Sequence, residues 1–220
     1  MSTQAVTQAT QRLRLHVGLA GLPRTALPTD LQRFCGKAKV ENVAHVAINY
    51  KRFRPNGTAT LAFSRPEYVP AAIKALDKTV LGGKTIKASI LDSVRDASRM
   101  RGQKGLLEAG QRGVIRGDGP DAGITGGGKN VVLYGLPGRL VAGVLAEQLR
   151  QFKIAGLDQG KPVLIKLESG KGSAAGATSR WLCRMESVSE AYRLVRTIHM
   201  QQWRPDLHGD KFVVRAAVIS

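Results

Sequence analysis

The side chains able to carry out chemistry are few and scattered. His16, His45, His199 and His208 and the two cysteines, Cys35 and Cys183, show no ligand spacing among themselves, so no metal site is expected. The glycine runs around Gly82 and Gly126 lack the Lys-Ser/Thr ending with which a phosphate loop holds a nucleotide and its magnesium. Carboxylates paired on one face for acid–base work are absent as well. Neither catalysis nor a cofactor is expected. What the chain has in quantity is positive charge: 34 Lys and Arg against 16 Asp and Glu, a formal net charge of +18. A surface so one-sided repels itself until a polyanion neutralises it, and nucleic acid is the commonest such partner. The charge is not confined to a tail. Residues 1–92 carry 14 basic and 5 acidic side chains, residues 93–129 carry 7 and 4, and residues 130–220 carry 13 and 7.

Hydrophobic periodicity says which elements must position these charges. Leu13, Leu15 and Val17 alternate with Arg12, Arg14 and His16, a strand with a basic outer face. Gly18 to Pro28 reads as a loop, and Thr29 as the cap of a short helix through Leu31, Phe34 and Cys35. Val43 to Tyr50 alternates again. The stretch Lys51 to Phe63 then joins a basic segment, Lys51-Arg52-Phe53-Arg54, to a turn at Pro55-Asn56-Gly57 and a strand. In that strand Ala59, Leu61 and Phe63 share one side and Thr58, Thr60 and Ala62 the other. Val69, Ala72, Ile73 and Leu76 fall at helical spacing, and a last strand runs through Ile86, Ala88 and Ile90. The order is strand, helix, strand, strand, helix, strand, a split βαβ arrangement.

Residues 93–129 break the pattern. Arg-Gly pairs, three consecutive glycines and few large apolar residues read as a flexible linker, with at most a turn of helix at Leu106-Leu107-Glu108. From residue 130 the order restarts: a strand with Val131 and Leu133 inward and Val132 and Tyr134 outward, then a helix over 140–152 burying Val144, Leu145, Leu149 and Phe152. Strands follow at 163–167 and 180–185, with Trp181 pointing into the core, then a helix over 187–199. A final strand turns Phe212, Val214, Ala216 and Val218 inward. Three segments are therefore expected: a domain over 12–92, a linker over 93–129 and a second domain over 130–220.

No apolar run reaches the roughly 20 residues of a membrane span, and two isolated cysteines make no disulfide framework. Buried free thiols point to a reducing intracellular compartment. The nucleus is the expectation, and the Ser-, Thr-, Gln- and Arg-containing opening leaves the mitochondrial matrix as the alternative.

Both domain segments resemble the RNA recognition motif (RRM) family. The family's third-strand signature, K/R-G-F/Y-G/A-F-V-x-F/Y, is similar to Asn56-Gly57-Thr58-Ala59-Thr60-Leu61-Ala62-Phe63 at Gly57, Ala59, Leu61 and Phe63, and departs from it at Asn56, Thr58 and Thr60. The first-strand signature resembles Leu15-His16-Val17-Gly18, with His16 where a stacking aromatic usually stands. The second copy aligns by strand position alone. The resemblance implies an α+β fold of two ferredoxin-like βαββαβ domains joined by a flexible linker, and a non-catalytic RNA-binding function within a ribonucleoprotein assembly. With the aromatic set incomplete, the expected contacts in the first domain are to phosphates through Arg12, Arg14, Lys51, Arg52, Arg54 and Lys87. Thr58 and Thr60 would offer hydroxyls and His16 the one stacking ring. In the second domain Tyr134, Arg180 and Arg215 would lie on the sheet face beside an exposed Leu182. That exposed leucine carries the alternative, in which the second domain docks a protein. The partner the resemblance implies is RNA, single-stranded or structured, with DNA left open by composition and further protein subunits allowed.

Overall fold

A computed structural model describes residues 15–91, 103–124, 127–167 and 177–220. The chain divides into two compact units, one formed by the first 99 residues together with Gly117–Gly123, the other by Met100–Arg116 and Ile124–Ser220.

In the first unit β1 (His16–Ala20), α1 (Pro28–Lys37), β2 (Val43–Lys51), β3 (Arg54–Phe63) and α2 (Tyr68–Leu76) follow in order. A small hairpin, β4 (Val80–Leu81) and β5 (Lys84–Thr85), precedes β6 (Lys87–Leu91). The antiparallel sheet has the order β6-β1-β3-β2, extended past β2 by β7 (Gly119–Pro120). Val17, Leu19, Ala59, Leu61 and Phe63 are buried from the sheet side; Leu31, Phe34, Val69, Ala72 and Leu76 meet them from the helices. β1 continues through Gly18–Ala20, where a loop was expected, because Leu19 adds a second core residue at strand spacing. Leu27, not Thr29, is the cap of α1: Pro28 takes the first helical position, and the Asp30 carboxylate accepts the Leu27 N–H at 3.0 Å.

The second unit repeats the order with β8 (Asn130–Pro137), α4 (Ala142–Gln148), β9 (Leu164–Leu167), β10 (Thr178–Arg184), α5 (Val188–Ile198), the short α6 (Pro205–His208) and β11 (Arg215–Ile219). Its sheet runs β11-β8-β10-β9. Val131, Leu133, Trp181 and Cys183 face a core shared with Leu145, Leu149, Phe152, Ala191 and Leu194, and Trp203 joins that core. Val144 lies outside it, because the short α4 turns Leu145 inward, and the next buried position is four residues on, at its capping residue Leu149. α5 has a cap of its own: Ser187 Oγ accepts the Glu190 N–H at 3.2 Å, and the Glu190 carboxylate takes the Lys153 N–H and the Arg193 guanidinium, all at about hydrogen-bond length. The Lys153 N–H first, and the Arg193 guanidinium after it, hold the Glu190 carboxyl below the usual carboxylate range.

Much of the stretch expected as a flexible linker is folded. Gln103–Gln111 forms a helix of the second unit, here α3, with Leu106 and Ala109 buried. Gly117–Gly123 returns to the first unit as β7 and a single 3-10 turn. Neither was legible as an element, because α3 contains two glycines in nine residues and β7 has two residues, one of them proline.

Candidate nucleic-acid interface

β1 and β3 of the first unit pair so that His16 stands opposite Ala62, Gly18 opposite Thr60 and Ala20 opposite Thr58. On the other flank His16 meets Leu91 and Ala20 meets Lys87. The sheet face away from the helices is therefore a grid of small and polar side chains, with Lys87 as its one cation from β6. His16 is half-buried there, and burial lowers the pKa of its imidazole, which keeps the ring neutral at physiological pH. Leu91 leans over Gly18, its Cγ standing 3.0 Å from where a Cβ would be.

The threonines that replace the aromatics are tied down. Asn49 of β2 donates through Nδ2 to Thr58 Oγ1 at 3.1 Å, and Thr60 Oγ1 donates to Asn49 Oδ1 at 3.2 Å. Thr58 Oγ1 in turn donates to Asn56 Oδ1 at 2.8 Å. Thr60 is only 6% exposed and its cross-strand partner Ala47 2%. The hydroxyls expected to greet a base are thus occupied within the protein. Asn49, which joins them, did not stand out in the sequence; the β2 alternation that buries Val46 and Ile48 was the available signal.

The basic tip is better placed. The β2–β3 turn falls at Arg52-Phe53, not at Pro55-Asn56-Gly57, which lie within β3. Both turn residues have positive φ, 51° and 63°, as a two-residue primed hairpin turn requires. Left-handed backbone costs a non-glycine residue about 1–2 kcal/mol, and the turn is held in it by the returning segment. Phe53 is 2% exposed, its N–H donates to Gly117 O at 2.8 Å, and the Arg52 N–H donates to Asp118 Oδ1 at 2.8 Å. Further along, Asp121 Oδ2 meets His45 Nε2 at 3.1 Å; burial raises the Asp121 pKa and His45 partly offsets it. Lys51, Arg52 and Arg54 are exposed around this turn. Arg54 and Ala62, the partner of His16, are eight strand steps apart in β3, so the basic tip and the imidazole lie about 27 Å apart along the strand. Lys87 shares a row with Ala20 and Thr58, between the two. Arg12 and Arg14 fall outside the described residues.

In the second unit Arg215 pairs with Tyr134, and Arg180 sits in the irregular stretch of β10 opposite Tyr134 and Gly135. The structure brings Arg215, Tyr134 and Arg180 into one row across β11, β8 and β10. Leu182 corrects the expectation: it is 0% exposed, as is its neighbour Val132, and Ile165 and Leu167 on the same face are 5% and 4% exposed. α3 packs on β9 of that face so closely that a Cβ on Gly110 would stand 2.5 Å from Ile165 Cγ2. The alternation that places Leu182 outward holds, but the face it points to is covered, with α3 packed against β9 there.

Among the described residues no cluster of His, Cys, Asp and Glu is arranged to hold a metal ion, and no helix is long and apolar enough to cross a membrane. The sequence profile of the RNA recognition motif family matches residues 17–87. A search of curated proteins finds no match. Similar solved structures include an Sxl-lethal protein/RNA complex (13% identity, covering 94% of this chain and 99% of that chain, TM-score 0.32). The N-terminal three RNA-binding domains of the yeast splicing factor Prp24 are similar at 11% identity (93% and 64% covered, TM-score 0.29), and the RRM of RNA15 at 19% (34% and 87% covered, TM-score 0.31). The part of this chain that matches the RNA recognition motif family, residues 17–87, carries the signature positions on β1 and β3 and most of the sheet β6-β1-β3-β2.

Proposed function

We propose that this chain is a non-catalytic RNA-binding protein, a component of a ribonucleoprotein assembly, whose first unit contacts RNA mainly through phosphates. The observation that carries this reading is the exposed basic tip, Lys51, Arg52 and Arg54, at one end of an RRM sheet whose stacking positions hold threonines bound to Asn49 and Asn56. With rings absent there, charge supplies the affinity and sequence preference is weak. Lys87 continues the phosphate track, Arg12 and Arg14 belong to it by sequence, and His16 gives one base a surface to stack on. In the second unit the row Arg215, Tyr134 and Arg180 is the RNA contact, a ring between two guanidinium groups. The buried thiols of Cys35 and Cys183 fit the reducing compartment, nucleus or mitochondrial matrix.

In the alternative reading the second unit docks a protein, through a surface other than the Leu182 face, where Leu182 is buried and α3 packs on β9. Pull-down with and without nuclease separates the two, since partners kept after RNA digestion are bound directly.

Anisotropy titrations of labelled single-stranded and structured RNA across a salt series test the main reading. Log affinity should fall steeply with log salt, and the Arg52→Ala/Arg54→Ala double variant should lower the slope by about 1–2. His16→Ala should weaken single-stranded RNA by about fivefold or more and leave the slope unchanged. A parent slope near zero refutes the proposal.

A further inference from the structure

The residues matched to the RNA recognition motif end at residue 87, yet the turn that carries the basic tip is completed by residues thirty positions further on. The geometry points to Asp118 and Gly117 as positioning residues for RNA binding: through the Arg52 and Phe53 amides they hold Lys51, Arg52 and Arg54 in the shape that meets the RNA. This inference rests on the reading of the basic tip as the RNA contact.

Three observations carry it. Two consecutive non-glycine residues at the tip have left-handed backbone, a conformation that relaxes unless something retains it. Both of their amides are retained by one short segment, Phe53 N–H by Gly117 O and Arg52 N–H by Asp118 Oδ1, each at 2.8 Å. Gly117 lies on the buried Phe53 ring at a distance no side chain tolerates, a Cβ there falling 2.2 Å from Phe53 Cδ2, and its φ of 75° is itself left-handed. β7 then anchors the segment, pairing Asn49 with Pro120 and Tyr50 with Gly119. Cations on a turn fixed in this way meet phosphates without first being ordered, and ordering is a cost that binding would otherwise have to offset.

The assignment is not the obvious one, because Asp118 is an acid beside a basic tip. Viewed as charge alone, it repels RNA, and removing it should tighten binding whatever replaces it. Viewed as a hydrogen-bond acceptor, it is needed. Asp118→Asn and Asp118→Ala separate the two roles: both remove the charge, and only Asn keeps a side-chain oxygen for the Arg52 N–H. The side chain is exposed, so both variants should fold, and circular dichroism melts establish that they do.

Affinities of the full-length parent and the two variants for a fluorescein-labelled single-stranded RNA, at one salt concentration, decide the matter. Asp118→Asn should bind at least as tightly as the parent, and Asp118→Ala two- to tenfold more weakly than Asp118→Asn, about the worth of one hydrogen bond. Amide exchange at Arg52 and Phe53 should be faster in the Ala variant than in the Asn variant. Gly117→Val, which drives the segment off the Phe53 ring, should weaken binding in the same direction. Equal affinities for the Asn and Ala variants overturn the inference while leaving the RNA-binding reading intact. A parent that shows no salt-dependent RNA binding overturns both.

Discussion

Substituting alanine for one helical glycine in each unit should have opposite effects, and the contrast tests whether α3 really closes the second sheet. Gly36 and Gly110 are each the penultimate residue of their helix, α1 and α3, and neither has positive φ. Alanine at such a position removes conformational freedom from the unfolded chain and favours the helix by about 0.5–1 kcal/mol. At Gly36 nothing stands within 4 Å of a new Cβ, so the whole gain should be realised. At Gly110 the same atom would lie 2.5, 3.1 and 3.2 Å from Cγ2, Cγ1 and Cδ1 of Ile165. Ile165 is β-branched, buried and part of β9, so it cannot swing aside, and the helix must lift. Overpacking of this kind costs about 1–3 kcal/mol, which exceeds the gain and leaves a net loss of up to about 2 kcal/mol. Because two units need not unfold together, the measurement should be local: hydrogen exchange of the full chain, followed by mass spectrometry. Gly110→Ala should speed exchange over Gln103–Gln111 and Leu164–Leu167 by up to about thirtyfold, whereas Gly36→Ala should slow it over Pro28–Lys37 by about two- to fivefold. If Gly110→Ala also slows exchange, α3 does not sit on Ile165. The front of the second unit, Val132 and Leu182 included, would then be open to a partner.

Two further outcomes follow from the charge states of buried and capped groups. The Glu190 carboxyl is held below its usual range by the Lys153 N–H and Arg193, so its stabilisation is present above the ordinary Glu pKa and is lost as pH falls through the lowered folded value. Thermal melts should therefore show Glu190→Gln less stable than the parent at neutral pH, with the gap narrowing below about pH 4; a gap that is constant with pH would argue against the assignment. Burial raises the Cys35 thiol to about 11 and the Cys183 thiol still further. Iodoacetamide at neutral pH should leave both unmodified until denaturant is added, and ready alkylation of the native chain would contradict the burial of the two thiols.

The amino-acid order alone determined both βαββαβ frameworks, because each core residue repeats at the period of its own element: Ala59, Leu61 and Phe63 by twos, Leu145 and Leu149 by fours. It also determined the excess of positive charge and the lack of rings at Thr58 and Thr60, which are matters of residue identity. Only the tertiary structure decided which faces remain open. Leu182 and Val132 alternate like any outward strand residues, and nothing within their own strands records that α3, some 70 positions before Leu182, lies on their sheet. The same holds for the turn at Arg52-Phe53. Local propensity favours Pro55-Asn56-Gly57 as the reversal, and it is the amide partners at Gly117 and Asp118 that hold the left-handed pair two residues earlier. Periodicity is a property of neighbours in sequence, whereas coverage and capping depend on segments far apart in the chain, and a glycine that permits close approach looks the same in sequence as one that permits flexibility.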